Sequence, residues 1–219
     1  MSTKSRDIAV PPLGLAGTLR IPDSAKSLVI FAHGSGSSRF SPRNVKVAEA
    51  FNGHGIATFL FDLLTPQEEH NRSNVFDIRL LAERLAQVVH WSEQQPALRH
   101  LPLGLFGAST GAGAALVAAA ELGSRIRAVV SRGGRPDLAG SALEHVRAPT
   151  LLIVGGADYG VIELNQQALA ALNGPKALEI VPGATHLFEE SGTLEQVILR
   201  AIRWFEKYLG GGGAVAATH

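Results

Sequence analysis

With 219 residues, 46% of them hydrophobic and 18% charged, the chain has the length of one domain and a globular rather than disordered composition. A formal charge of +1 gives no electrostatic case for nucleic acid or for a membrane surface. The absence of cysteine excludes disulfides, thiolate metal sites and a cysteine nucleophile.

The N-terminus, Met1 to Asp7, is polar, and the apolar stretch after it is broken at Pro11-Pro12, a poor signal-peptide core. No apolar run approaches the roughly 20 residues of a membrane span. The expected location is the cytoplasm. Ile8 to Val10 and Leu13 to Ile21 read as two short antiparallel strands around the prolines. Ser27 to Ala32 is a continuous apolar run, as for a strand covered on both faces. It ends in His33-Gly-Ser-Gly36, and a helix follows with Ser41 as N-cap and Pro42 at its first position. Ile56 to Phe61 is the next buried strand, and residues 62–74 are polar and irregular. Phe76 to Gln94 is an amphipathic helix carrying Ile78, Leu81, Leu85, Val88 and Val89 on one face.

Leu103 to Phe106 leads into Gly107-Ala-Ser-Thr-Gly111 and then a small-residue helix to Leu122. Ile126 to Val130, Thr150 to Val154 and Ala177 to Val181 are further strands. They are followed by the loops 131–140, 155–160 and 182–190. A helix over Val161 to Leu172 separates the last two strands, and Thr193-Leu-Glu-Gln196 reads as the capping box of a closing helix. Gly211 to His219 reads as a disordered Gly/Ala-rich tail on a single domain of residues 1–210. Alternation of buried strands and helices predicts an α/β fold with a mostly parallel sheet and helices on both faces. In such sheets the chemistry gathers at the C-terminal strand ends.

Strand, sharp turn and helix is the setting in which G-x-S-x-G forms a nucleophile elbow, here around Ser109. A serine hydroxyl needs an adjacent base, itself oriented by a third group. His186, after the last strand, is the candidate base, and Asp158, after the preceding strand, is the candidate acid. The chain order Ser, Asp, His is the expected one. Asp137 is the alternative acid, and Asp158 alone also suits a helix N-cap. The oxyanion donors are the backbone N–H groups of Thr110 and of Ser35, with Gly36 behind Ser35. His33 is read as a brace for that loop.

Arg39, Arg43, Arg132 and Arg135 fall on loops at the active-site end. Arg39, Arg132 and Arg135 are candidates for binding an anionic group on the substrate; the alternative is local bonding to loop carbonyls and acids. The other histidines are scattered with no H-x-x-x-H or H-x-H spacing, so no metal site is expected.

The set His33-Gly-Ser-Gly36, Gly107-Ala-Ser-Thr-Gly111, Gly156-Ala-Asp158 and Gly183-Ala-Thr-His186 resembles the α/β-hydrolase superfamily. Within it, the chain is most similar to small lidless members of the dienelactone hydrolase-like group, over about Leu13 to Leu209. The resemblance implies the α/β-hydrolase fold with a sheet of about eight strands, with Ser109 as nucleophile, His186 as base and Asp158 as acid. Dienelactone hydrolases themselves carry a cysteine nucleophile; serine in its place favours ester chemistry. Ser131 to Pro149 is too short for a cap domain, which leaves the site open and disfavours an interfacial lipase.

The expected function is a serine hydrolase of carboxylic esters of small soluble substrates, without cofactor. A lactone or thioester hydrolase with the same triad, or a non-catalytic binding module on the same fold, are the alternatives. The expected partner is a small-molecule ester, with no nucleic acid and no membrane, in a monomer or homodimer.

Overall fold

In the computed structural model, which describes residues 2–210, the chain begins with β1 (Thr3–Val10) and β2 (Leu15–Pro22), paired antiparallel across the Pro11–Pro12 turn. The tail expected to be disordered, residues 211–219, lies outside the described residues. β2 pairs antiparallel with β4 (Ile56–Phe61), and from there every pairing is parallel. Beyond β4 come β3 (Ser27–Ala32), β5 (Leu103–Ala108), β6 (Ile126–Arg132), β7 (Thr150–Gly155) and β8 (Lys176–Val181). The sheet has eight strands in the order β1-β2-β4-β3-β5-β6-β7-β8, an α/β-hydrolase sheet with β5 at its centre.

The continuous apolar runs form the inner strands. β3, β4, β5 and β7 are buried at every residue because helices cover both faces. α1 (Pro42–Gly53) and α7 (Thr193–Leu209) cover one face around Phe31, Phe51, Phe106 and Phe205. Phe106 meets Phe51 edge-on with ring centroids 5.8 Å apart, and Phe51 meets Phe205 at 5.6 Å. Removing such a fully buried ring costs about 3–5 kcal/mol. α4 (Ile78–Gln94), α5 (Thr110–Leu122) and α6 (Tyr159–Ala171) cover the other face around Leu81, Leu85, Leu105, Leu116 and Ala168. Among the described residues no helix is long and apolar enough to cross a membrane.

Three local expectations differ from the structure. The stretch 62–74 is not irregular: it contains the short helix α2 (Pro66–Glu69) and the start of a second, α3 (Arg72–Phe76). The capping box of the chain lies here, with Thr65 and Glu68 each accepting the other's backbone N–H. Phe76 therefore ends α3, and α4 begins after Asp77, which caps the N–H of Leu80 at 3.0 Å. Thr193 is not an N-cap. Gly192, at φ 78°, holds that place, and the Thr193 hydroxyl instead donates to the Glu190 carbonyl at 2.6 Å. β6 runs two residues past Val130, so Ser131 and Arg132 are buried strand residues rather than loop residues.

Candidate active site

The turn from β5 into α5 is closed by backbone approach. A β-carbon on Gly107 would lie 2.5 Å from Cα of Ala112, and one on Gly111 would lie 2.3 Å from the Ala32 carbonyl oxygen. Neither position admits a side chain, which is why glycines bracket the serine two residues before and after it. Ser109 between them is held at φ 51°, ψ −125°, a conformation that costs a non-glycine residue about 1–3 kcal/mol. Its carbonyl accepts the N–H groups of Ala112 and Arg135, and its own N–H reaches the Arg132 carbonyl. The strained residue is thereby fixed from both neighbouring elements, with its hydroxyl at the strand end.

His186 sits between Ser109 and Asp158. Its Nδ1 lies 2.7 Å from Asp158 Oδ2, and its Nε2 lies 3.3 Å from Ser109 Oγ. An ionised carboxylate only accepts, so Nδ1 carries the proton and Nε2 is left to accept from the serine hydroxyl. Asp158 stands at the N-cap position of α6, yet its side chain makes no capping bond; the carboxylate is committed to the imidazole. Two backbone bonds join the acid loop to the strand end and loop that carry the base: Gly156 N–H to the Val181 carbonyl at 2.8 Å, and Ala157 N–H to the Ala184 carbonyl at 2.9 Å. The alternative acid, Asp137, is bonded to Arg135 by both carboxylate oxygens at 2.8 Å each. That bidentate pair commits its carboxylate to a local partner.

The base loop is itself braced. Phe188, two residues after His186, is buried at φ 55°, an unfavourable conformation for a bulky residue that its packing on the α1/α7 face maintains. Glu190 accepts the backbone N–H and the hydroxyl of Thr185, and the hydroxyl bond holds its carboxyl below the usual range. Neither brace has a sequence signature.

The loop after β3 lies against the nucleophile: a β-carbon on Gly34 would sit 2.9 Å from Ser109 Cβ. His33 is buried behind it. Its Nδ1 donates to the Gly34 carbonyl at 2.9 Å, and its Nε2 accepts the Leu63 N–H at 3.1 Å. Burial, the largest effect, pushes its pKa down against a smaller opposing bond to Gly34, so the ring is neutral with a fixed tautomer. The N–H of Ser35, expected to face an oxyanion, is instead donated to Thr110 Oγ1 at 2.8 Å. The backbone N–H of Thr110 belongs to the first turn of α5, where helix amides have no internal acceptor.

The candidate anion-binding arginines do not converge on a pocket. Arg39 is ion-paired to Asp62 through its guanidinium and also donates its backbone N–H to that carboxylate at 2.7 Å. Arg135 is taken by Asp137, and Arg43 pairs with Glu189 at 2.9 Å. Arg132 is buried, donating to Asn44 Oδ1 at 3.0 Å and leaving its Nε without a partner. Burial, reinforced by the nearby Arg43 charge, lowers its pKa to about 10. All four therefore serve local structure in this conformation.

A cavity of about 680 Å³ adjoins the oxyanion loop. His33, Gly34 and Ser35 form one wall; Leu63, Leu64, Val75, Phe76 and Leu81 form an apolar floor and side, with Glu69 and Arg72 as polar members. Ser109 and His186 are not among its lining residues; Gly34, which is, lies against Ser109. The segment 33–42 supplies most of its lining, and the short helix α3 closes one side with Arg72, Val75 and Phe76.

A central parallel sheet, a serine on a strained strand-to-helix turn and a histidine bridging it to a carboxylate define an α/β hydrolase. The dienelactone hydrolase family model matches residues 15–209, and the chain belongs to that family. A dienelactone hydrolase from Anabaena variabilis, of known crystal structure, is 54% identical with a TM-score of 0.91, over 95% of this chain and 98% of that one. A Mycobacterium tuberculosis protein bearing the provisional name phosphoribosyl transferase is 61% identical over 206 residues, 94% of this chain and 46% of that protein. The chain thus spans about half the length of that relative. Est1E from Butyrivibrio proteoclasticus shares the fold at 17% identity, with a TM-score of 0.78 over 93% of this chain and 98% of that one.

Proposed function

We propose that the chain is a serine hydrolase acting on carboxylic esters of small soluble molecules. The observation that carries this reading is the single imidazole of His186, within 2.7 Å of Asp158 and 3.3 Å of Ser109. In the proposed reaction Ser109 Oγ attacks the ester carbonyl carbon and its proton passes to His186 Nε2. The carbonyl electron pair moves to oxygen, where backbone and hydroxyl donors stabilise it. Collapse expels the alcohol, which takes the proton from His186. Water then attacks the acyl-enzyme, gives its proton to the same nitrogen, and the acid leaves as Ser109 recovers its own. Asp158 keeps the imidazole in the accepting tautomer and stabilises the imidazolium.

The cavity beside Gly34 and Ser35 supplies room for an apolar part of the ester. The apolar side of its lining, Leu63, Leu64, Val75, Phe76 and Leu81, favours substrates with a hydrophobic acyl or alcohol group. The family and the 54% identical dienelactone hydrolase keep lactones in the same substrate class, as cyclic esters opened by the same steps. The name phosphoribosyl transferase belongs to a relative of which the matched segment is 46%; the residues assembled in this chain suit acyl transfer. A cytoplasmic location, and action as a monomer or homodimer, complete the proposal.

The test is intact mass after exposure to a fluorophosphonate, paired with an ester and lactone panel. One adduct on the natural chain, none on Ser109→Ala and strong loss on His186→Ala is the expected result. A folded natural chain that neither labels nor hydrolyses any ester or lactone overturns the proposal and leaves a binding module on the same fold.

A further inference from the structure

The Ser35 amide and the Thr110 side chain hold each other immediately beside Ser109. Ser35 N–H donates to Thr110 Oγ1 at 2.8 Å, so this amide is directed at a hydroxyl rather than at open space. A hydroxyl that accepts one bond still has one proton to give. Among the described residues the Thr110 proton meets no acceptor. A threonine early in a helix often returns its proton to a carbonyl one turn back; Thr110 opens α5 one residue after β5 ends, and among the described residues no such bond forms.

The hydroxyl is also well placed to meet negative charge. Thr110 is the first residue of α5, immediately after the nucleophile, and is buried. Its hydroxyl and its own backbone N–H leave the same residue at the positive end of the helix. Accepting the Ser35 N–H polarises the O–H bond and strengthens it as a donor, by about 10–30% in condensed-phase estimates. A bond from this hydroxyl to an oxyanion is charge-assisted, the stronger kind.

Resting on the acyl-transfer reading above, we infer that the Thr110 hydroxyl is a catalytic oxyanion donor, with the Ser35 amide acting through it as a positioning group. In the tetrahedral intermediate the former carbonyl oxygen accepts from Thr110 N–H and Thr110 Oγ–H. The Ser109 proton rests on His186 Nε2, and nothing else is gained or lost. Ser35, expected from sequence to bind the oxyanion directly, aligns the group that does.

The experiment compares Thr110→Val, Thr110→Ala and Thr110→Ser on an ester that the natural chain hydrolyses, with circular dichroism to check folding. Valine keeps the shape and removes the donor; alanine carries the same prediction with less bulk. The expected result for both is a fall in kcat of about 10²–10³, the usual cost of one oxyanion donor, with KM changed by less than about three-fold. Thr110→Ser restores kcat to within about ten-fold. Affinity for a trifluoromethyl ketone, which forms the tetrahedral adduct, falls in parallel with kcat/KM, while a non-reacting methyl ketone of the same shape binds as before.

If Thr110→Val or Thr110→Ala hydrolyses as fast as the natural chain or faster, the Ser35 amide is the donor and the hydroxyl only blocks it. If both ketones weaken equally, Thr110 merely anchors the loop. Either outcome overturns this inference while leaving the hydrolase reading intact. A natural chain that fails to take up fluorophosphonate and fails to turn over any ester removes the reading on which both stand.

Discussion

Asp158 occupies the N-cap position of α6 and yet gives its carboxylate to His186, 2.7 Å away, rather than to the helix. N-cap aspartates ordinarily bind the second or third amide of their helix. Here that contribution is forgone, and the helix amides are left to other partners. Asp158→Asn therefore separates function from stability. The amide group can present an N–H to Nδ1 and so stabilise the wrong imidazole tautomer. The expected loss in kcat is on the order of 10⁴, by analogy with the same change in a serine protease triad. The melting temperature should move little, because no capping bond is lost. A kcat within ten-fold of the natural value would remove Asp158 from the catalytic set.

Strain at the nucleophile makes a second, opposite-signed expectation. Ser109 lies at φ 51°, ψ −125°, where glycine is at ease and serine is not. Ser109→Gly relieves about 1–3 kcal/mol of strain and adds some flexibility to the unfolded chain. The net expectation is a folded protein more stable by about 1 kcal/mol, with no esterase activity. Urea titration of the two proteins checks it. A variant less stable than the natural chain would mean that the serine side chain makes contacts worth more than the strain.

The juxtaposition of Ser109, His186 and Asp158 was legible in sequence because each sits at the end of an apolar strand, and strand ends converge in a parallel sheet. Ser109, Asp158 and His186 needed no knowledge of their distances, only of chain order and topology. For the arginines, the reading that the structure bears out is local bonding to nearby acids, and only Arg132 departs from its expected place. Arg132 follows a strand of which Val130 reads as the last apolar residue, but hydrogen-bond pairing with β7 carries β6 on to Arg132 and turns the side chain inward to Asn44. Arg39 and Arg135 have loop positions as expected, but Asp62 and Asp137 neutralise them. The side of the cavity formed by Arg72, Val75 and Phe76 was illegible because α3 is too short for hydrophobic periodicity; the Thr65–Glu68 capping box and the Asn71 cap mark α2 and α3 only locally.

His33 gives the chain a specific response to acid. In the unfolded chain the ring takes up a proton near its ordinary value of 6.5; in the folded chain burial holds the pKa lower. The unfolded state therefore binds more protons between those two values. This contribution leaves stability intact above pH 6.5 and erodes it as the pH falls from there through the folded-state value. Protonation also removes the lone pair on Nε2 that accepts the Leu63 N–H, so the oxyanion loop loosens in the same window. His33→Gln removes the titrating group. Thermal melts at pH 8 and pH 5 should show a smaller drop for the variant than for the natural chain. An equal drop in the two proteins would place the acid sensitivity elsewhere.

Phe76 marks the boundary of the proposed substrate cavity. It ends α3, is 55% exposed, and shares the apolar side of the cavity with Leu63, Leu64, Val75 and Leu81. A ring this open to water contributes little to folding, so its removal is a clean probe of binding. If the apolar part of the ester lies in this cavity, Phe76→Ala removes contact area from bulky substrates and none from small ones. The transfer energy of an aromatic face, partly buried by substrate, is about 1–1.5 kcal/mol, or roughly ten-fold in binding. The expectation is a KM about ten-fold higher for a long-chain or aryl ester, an unchanged KM for an acetate, and similar kcat for both. The pattern of uniform binding lost without loss of turnover identifies a specificity surface rather than a catalytic one. Equal effects on the two esters would place the substrate outside this cavity.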